Sequence, residues 1–459
     1  MTTVTTPVKS DFMTGLAAAV GVPGVPLVLV GNFEVEQQWA RGECGLPRVS
    51  ADAGTAVVNH MDQFALLLAG PGDHVVLKAA PDREYLAYLA GLGIEVPTMH
   101  IVRDGEPTST VTEDALGDVG VLRSLAALGP KGAVLLPHGV SEVEEQLAAA
   151  TGLALAAPSA AVCRSVNSKV YSRRLADELG IRQADGWACA TLAELDAAVA
   201  AATELLDAGA KVVVKEALGV SGKGIAVVDS ARRLARLRRM IHQRAERMGT
   251  DRIGFVIERW VTKRADLNYQ CTVGRDGSVR FDFVKEAITR GGVHKGHRMP
   301  AALTVEQTDV LRRTADLLGA RLAADGYHGV VGIDALLMPD GSVYPMIEIN
   351  ARNNMSTYQV RLQERFVPPD GVALAKHYPL RLHRPMPFYQ VRELLAGLLV
   401  ARPGGNGLLI NNFATVNAAA ATGSPFDGRL YGLVVAESTA RLAALDDEIG
   451  RRLGISEED

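Results

Sequence analysis

The residues best suited to chemistry lie in the run GIDALLMPDGSVYPMIEINARNN. Two apolar, strand-like stretches, expected over Val330–Met338 and Val343–Asn350, are joined by Pro339-Asp340-Gly341-Ser342, a turn sequence. A hairpin turning about Gly341 sets Asp334 opposite Glu348, with Asn350 two residues on and on the same face. Carboxylates directly opposed across a ladder repel each other. A hard cation between them removes the conflict, and all three side chains offer oxygen ligands. Mg²⁺ is bound in this way, by few carboxylates together with substrate phosphates. Arg352 follows at once, and its planar guanidinium could hold a transferring phosphoryl group.

A second group surrounds Lys215, which ends the apolar strand KVVVK. Only 11 of the 48 basic residues are lysines, so lysine is not this chain's routine solubilising residue. A buried ammonium is costly unless an anion meets it. Directly after come Gly219, Ser221, Gly222, Lys223 and Gly224. Glycines let backbone amides approach phosphate oxygens. The GxxxxGK[ST] pattern of a P-loop is absent, and the loop joins strand to strand. It reads as a lid over a triphosphate or as a tight structural hairpin. Further on, IERWV places Glu258 and Val261 where backbone groups could meet an adenine edge, with Asp266 and Asn268 in reach of a ribose; the alternative is a plain strand with a polar exit. In EAITRGGVHKGHRMP, the residues Arg290, His294, Lys295, His297 and Arg298 flank three glycines. This reads as a mobile basic loop gripping a carboxylate or phosphate, or as a solvated connection. Tyr358 and Arg361 are further substrate candidates.

These residues need a scaffold, and 459 residues are enough for about three domains. The first ~160 alternate short Val/Leu strands with helical patterns, as in a parallel sheet flanked by helices. Gly31-Asn32 and His138-Gly139 follow two of those strands, as ligand-approaching or ordinary turns. Next come helices expected over 167–179, 192–206 and 230–248, and strands over 211–216, 225–228, 254–261 and 267–273. Pro368-Pro369 marks a boundary. The division is 1–160, 161–367 and 368–459. With 48% hydrophobic and 22% charged residues and a net charge of −4, the chain is neither largely disordered nor a general nucleic-acid binder. Four scattered cysteines suggest reduced thiols in a cytoplasmic protein. The longest apolar run is too short to span a bilayer.

The order of these motifs resembles the ATP-grasp superfamily: a lysine opening the first helix (Lys169), a strand lysine before a glycine lid, a Glu-x-x-apolar hinge and a final Asp…Glu-x-Asn hairpin. The resemblance implies an α/β chain, an ATP-grasp fold preceded by a Rossmann-like pre-grasp domain and followed by a small α+β domain. It also implies ATP and Mg²⁺. Lys169 and Lys215 would bind phosphates, with Gly219 to Gly224 as lid. Glu258 and Val261 would bind adenine over Leu336, and Asp266 the ribose. Asp334, Glu348 and Asn350 would hold the metal, and Arg352 would stabilise an acyl phosphate. The family often has proline where this chain has Ala351. Within the superfamily the layout resembles the pheganomycin-type peptide ligases, implying that an unusual guanidino amino acid is joined to a peptide amine, in a possible homodimer. The same nucleotide residues would serve a kinase acting on a hydroxyl, a dipeptide-forming amino acid ligase, or a non-catalytic nucleotide-binding module.

Overall fold

The computed structural model describes residues 11–46, 55–106, 108–219, 224–290 and 293–455. The leading region carries five short parallel strands, β1 (Leu27–Val30), β2 (His74–Leu77), β3 (Thr98–Ile101), β4 (Val134–Pro137) and β5 (Ala154–Leu155), in the order β3-β2-β1-β4-β5. β1 and β4 are buried throughout, as strands covered on both faces must be. Helices return the chain between them. Asp82 caps Arg83–Gly91, and a Ser141/Glu144 capping box opens Glu142–Thr151. Strand order reverses between β1 and β4, so their carboxyl ends frame the crevice typical of open α/β sheets. The turns there bind each other: Asn32 Nδ2 donates to Gly139 O at 2.8 Å, and His138 N donates to Asn32 Oδ1 at 2.9 Å.

A four-stranded antiparallel sheet follows, with β6 (Gly186–Thr191), β7 (Val212–Glu216), β8 (Ile225–Val228) and β9 (Arg252–Arg259) in the order β6-β9-β7-β8. The helices Leu192–Asp207 and Ala231–Arg247 bury Leu195, Ala198, Leu234 and Ile241 in its core. β9 ends at Arg259, so Val261 lies beyond the strand expected to contain it.

The third sheet has eight strands. β10 (Ala265–Val273), β11 (Val279–Arg290), β12 (Val293–Met299), β13 (Gly329–Leu337), β14 (Val343–Asn350), β15 (Val372–Leu382), β16 (Gly407–Asn412) and β17 (Phe426–Ala436) run in the order β14-β13-β10-β11-β12-β15-β17-β16. The β13–β14 register pairs Asp334 with Glu348, as the turn about Gly341 predicts. The basic segment is a correction. Val279–Arg290 and Val293–Met299 are paired strands, β11 and β12, where a mobile basic loop over 286–300 is the expectation; Glu286 lies opposite Arg298 and Ala287 opposite His297, and 291–292 lie outside the described residues. The alternation in VRFDFV supplies a strand face, and Phe281 and Val284 pack against the core beneath. The 20-residue helix Val305–Ala324, which the sequence reading did not mark, covers that core with Leu311, Ala315, Leu318 and Leu322.

Residues 368–459 contribute β15, β16, β17 and the helix Thr439–Arg452, and their strands continue the sheet through β12–β15 pairing. Leu27 and Phe64 of the leading region share one apolar cluster with Tyr378, Leu408 and Leu433. At the β12–β15 seam Gly296 faces Lys376. A Cβ at 296 would be driven into Ala375 O and lie 3.0 Å from Lys376 Cβ. This glycine serves close strand packing, not loop closure. Gly296→Ala should therefore cost about 1–3 kcal/mol of stability through overpacking. It should lower the thermal midpoint by several degrees in a calorimetric scan, and an unchanged midpoint would contradict the seam.

Candidate active site

Asp334 and Glu348 project from paired positions of β13 and β14. Asn268 Nδ2 of β10 donates to Asp334 Oδ1 at 2.8 Å, and Asn350 Nδ2 donates to Asp334 Oδ2 at 3.2 Å. Burial, and then the charge of Glu348, push the Asp334 carboxyl up to about 6. Lys169 opens the helix Lys169–Glu178, which is pinned to β14 by a bond from Ile349 N to Ser172 Oγ. Its Nζ lies 2.6 Å from Glu348 Oε1 and donates to Gly219 O at 3.1 Å. Burial works against the Lys169 ammonium, yet Glu348, with Glu36 and Asp334 further off, raises its pKa above the usual value. Lys169 thus pairs with Glu348, while Arg352 acts on Asp334 from further off. Among the described residues no cluster of three or more His, Cys, Asp and Glu side chains forms. The hairpin offers two carboxylates and an amide, with Glu348 opposing charge on the buried Asp334. That donor set fits a hard divalent ion completed by substrate oxygens.

Across the cleft, Lys215 Nζ of β7 meets Glu258 Oε2 of β9 at 2.5 Å, so this strand lysine already has an anionic partner. Arg173 Nη1 sits 3.9 Å from Glu258 Oε1. Gly224 adopts φ +78° beside the Glu216 side chain. Ser221, Gly222 and Lys223 lie outside the described residues, as do the side chains of Arg290 and His294. Leu336 and Asp266 occupy paired positions on β13 and β10, as do Asp334 and Asn268, so all four share a face. Asp266 accepts from Lys263 Nζ at 2.6 Å and from Thr289 Oγ1. Asn268 is engaged at both ends of its amide, by Asp334 and by Ser356 Oγ at 3.0 Å.

The remaining expectations divide. Arg352 reaches back to the leading region: its Nε donates to Glu36 Oε1 at 2.7 Å, and its Nη2 donates to that oxygen and to Asn350 Oδ1. Of the described basic side chains of β12, His297 is buried, with Nε2 3.2 Å from Ser356 Oγ. Arg298 is exposed and 3.4 Å from Glu286; Lys295 is half-buried. His297 and Arg298 thus have different partners, Ser356 and Glu286. Arg361 instead binds the carbonyls of Leu68 and Ala69, and Tyr358 OH lies 3.0 Å from His138 Nδ1. Two residues near the site were not singled out from the sequence. Glu36 carried no motif. Lys285 did carry a signal, because it too is a lysine in an apolar strand. It is fully buried, its Nζ donates to Ser356 O at 3.0 Å, and burial holds its pKa well below the lysine range.

Comparison with known proteins gives this geometry a family context. Residues 61–153 match the pre ATP-grasp domain, and residues 168–358 match the ATP-binding domain of the carbamoyl-phosphate synthase L chain. The chain has the ATP-grasp fold with its pre-grasp domain. The butirosin acyl-carrier protein–L-glutamate ligase of Niallia circulans is 28% identical to it over 325 residues, 70% of this chain and 71% of the relative. Biotin carboxylase from Campylobacter jejuni, solved as a β-γ-ATP complex, superposes with a TM-score of 0.53 at 16% identity, covering 91% of this chain and 89% of the other. The N5-carboxyaminoimidazole synthase of Aspergillus clavatus, solved with ADP and 5-aminoimidazole ribonucleotide, gives 0.51 at 16% identity, over 94% and 99%. At these identities the structural likeness is one of fold.

Asp334→Asn and Glu348→Gln should each cut magnesium-dependent ATP turnover at least 100-fold, a loss of about 2.7 kcal/mol of transition-state stabilisation. Far-UV circular dichroism should stay that of the native protein. Turnover within tenfold of the parent for either variant would contradict the cation assignment.

Proposed function

We propose that this protein is an ATP-dependent carboxylate–amine ligase that makes an amide through an acyl phosphate and releases ADP and phosphate. The observation that carries the reading is Arg352. It sits two residues beyond the metal-type hairpin and contacts Asn350, within a chain related to a ligase of an acyl-carrier protein and L-glutamate. A guanidinium there can neutralise a phosphoryl group as it forms on a carboxylate and as it departs.

In this reading Asp334, Glu348 and Asn350 hold Mg²⁺, which supplies charge neutralisation at the ATP phosphates. Lys169 and Lys215 bind those phosphates, and the glycine segment that includes Gly219, Ser221, Gly222, Lys223 and Gly224 contributes further phosphate contacts. Glu258 and Val261 meet the adenine edge above Leu336, and Asp266 binds the ribose, since both ends of the Asn268 amide are committed. The protein's share of catalysis is positioning and electrostatics. Amino acids are the proposed acids. The narrower reading, a guanidino amino acid joined to a peptide in natural-product biosynthesis, is supported by domain layout; the relative favours L-glutamate as the first acid to try. The buried free thiols are in keeping with a cytoplasmic setting.

The test is product mass spectrometry after incubation with ATP, Mg²⁺, L-glutamate, L-arginine and the other common amino acids, with and without a dipeptide pool. The expected outcome is ADP release that requires a carboxylic acid, and a product equal to acid plus amine minus water. A stable phosphorylated hydroxyl compound formed without any amine would replace the ligase with a kinase.

A further inference from the structure

We propose that Glu36 is the seat of the amine substrate, receiving its ammonium and taking a proton from it as the amide forms. The proposal rests on the ligase reading. An aliphatic amine is mostly protonated at neutral pH and has no free electron pair until it loses a proton. The site must therefore offer an anion that is not consumed by metal or nucleotide. Asp334 and Glu348 form the opposed pair on the hairpin. Glu258 faces Lys215, and Asp266 is held by Lys263 and Thr289. Glu36 differs from these, because its partner is the arginine assigned to the phosphoryl group.

That pairing sets up an exchange of cations. The Glu36 and Arg352 side chains are 12% and 13% exposed, so the pair is largely buried without being sealed off. When a phosphoryl group engages Arg352, Glu36 gives up a guanidinium, and an ammonium of equal charge can take its place. The carboxylate is held firmly for this. It sits on the helix Val35–Trp39 at the β1/β4 crevice, where Trp39 Nε1 donates to Val140 O at 2.8 Å and Arg164 Nε donates to Trp39 O at 2.9 Å. Gly139 packs so closely that a Cβ there would stand 3.0 Å from Val35 and 3.2 Å from Trp39. The Arg352 loop is tied to the same crevice by Asn353 N donating to His138 O at 2.9 Å. The base comes from the leading region and the phosphoryl cation from just beyond the end of β14, and the two meet in one ion pair.

The step balances. The ammonium passes one proton to Glu36, and the freed electron pair forms the C–N bond at the acyl carbon. The C–O bond to phosphate breaks, and the second nitrogen proton leaves with it as hydrogen phosphate. Glu36 then releases its proton to solvent when Arg352 returns.

The test separates the amine from the acid half-reaction. The full-length protein, Glu36→Gln and Glu36→Asp are assayed with each amino acid that supports ADP release. The nucleophile is either hydroxylamine, which is uncharged at neutral pH, or glycinamide and ethylamine, which carry ammonium. For Glu36→Gln the expected result is hydroxamate formation within about fivefold of the parent, and amide formation reduced on the order of 100-fold. Its amide rate should rise with pH as free amine accumulates, and Glu36→Asp should recover most amide formation. Equal losses with both kinds of nucleophile would overturn the proposal and leave Glu36 as the residue that positions Arg352. Unchanged amide formation in Glu36→Gln would also overturn it. If the parent consumes ATP but yields no hydroxamate with any acid, the ligase reading itself fails, and the assignment falls with it.

Discussion

The ladder register of β13 and β14 sets two carboxylates directly opposite each other in partly buried surroundings, and the rest of the site responds to that conflict. Lys169 answers Glu348 from the neighbouring helix, while Asn268 and Asn350 supply N–H donors to Asp334. Hydrogen bonds of this kind relieve part of the burial of charge but add no positive charge. Lys169 and the more distant Arg352 answer that charge only in part, and a nucleotide arriving with a divalent ion would bring a cation directly between the carboxylates. Stability and function pull apart at this point, as they commonly do where charges are gathered for catalysis.

The three sheets share the labour of positioning. The four-stranded sheet presents Lys215 and Glu258, and the eight-stranded sheet presents the hairpin. The parallel sheet of the leading region supplies Glu36 at the crevice where its strand order reverses. The C-terminal strands extend the large sheet and share a core with the leading region. The two ends of the chain thus brace each other, so that a carboxylate near residue 36 can meet an arginine near residue 352.

What was legible in the sequence was local. Val/Leu-rich runs marked the parallel strands, the Pro-Asp-Gly-Ser turn fixed the Asp334–Glu348 register, and lysine scarcity pointed to Lys215. The failures were of two kinds. In the 286–300 segment, glycines and basic residues suggest a loop, yet Gly296 is there because β15 passes too near for a side chain. His297, a member of that basic segment, is buried against Ser356 on the sheet face that carries Asn268. Tertiary packing decided both, and it leaves little trace in composition. Glu36 could not be found at all, since its significance lies in a partner more than 300 residues away.

The central claim is that a carboxylate is activated as an acyl phosphate. Oxygen tracing tests it most directly. An acid that supports ADP release is supplied with both carboxylate oxygens as ¹⁸O, and the inorganic phosphate is examined by mass spectrometry after amide formation. The account predicts one ¹⁸O in each phosphate released, because the oxygen that joined acid to phosphoryl group leaves with the phosphate. Unlabelled phosphate formed in step with ADP would contradict it.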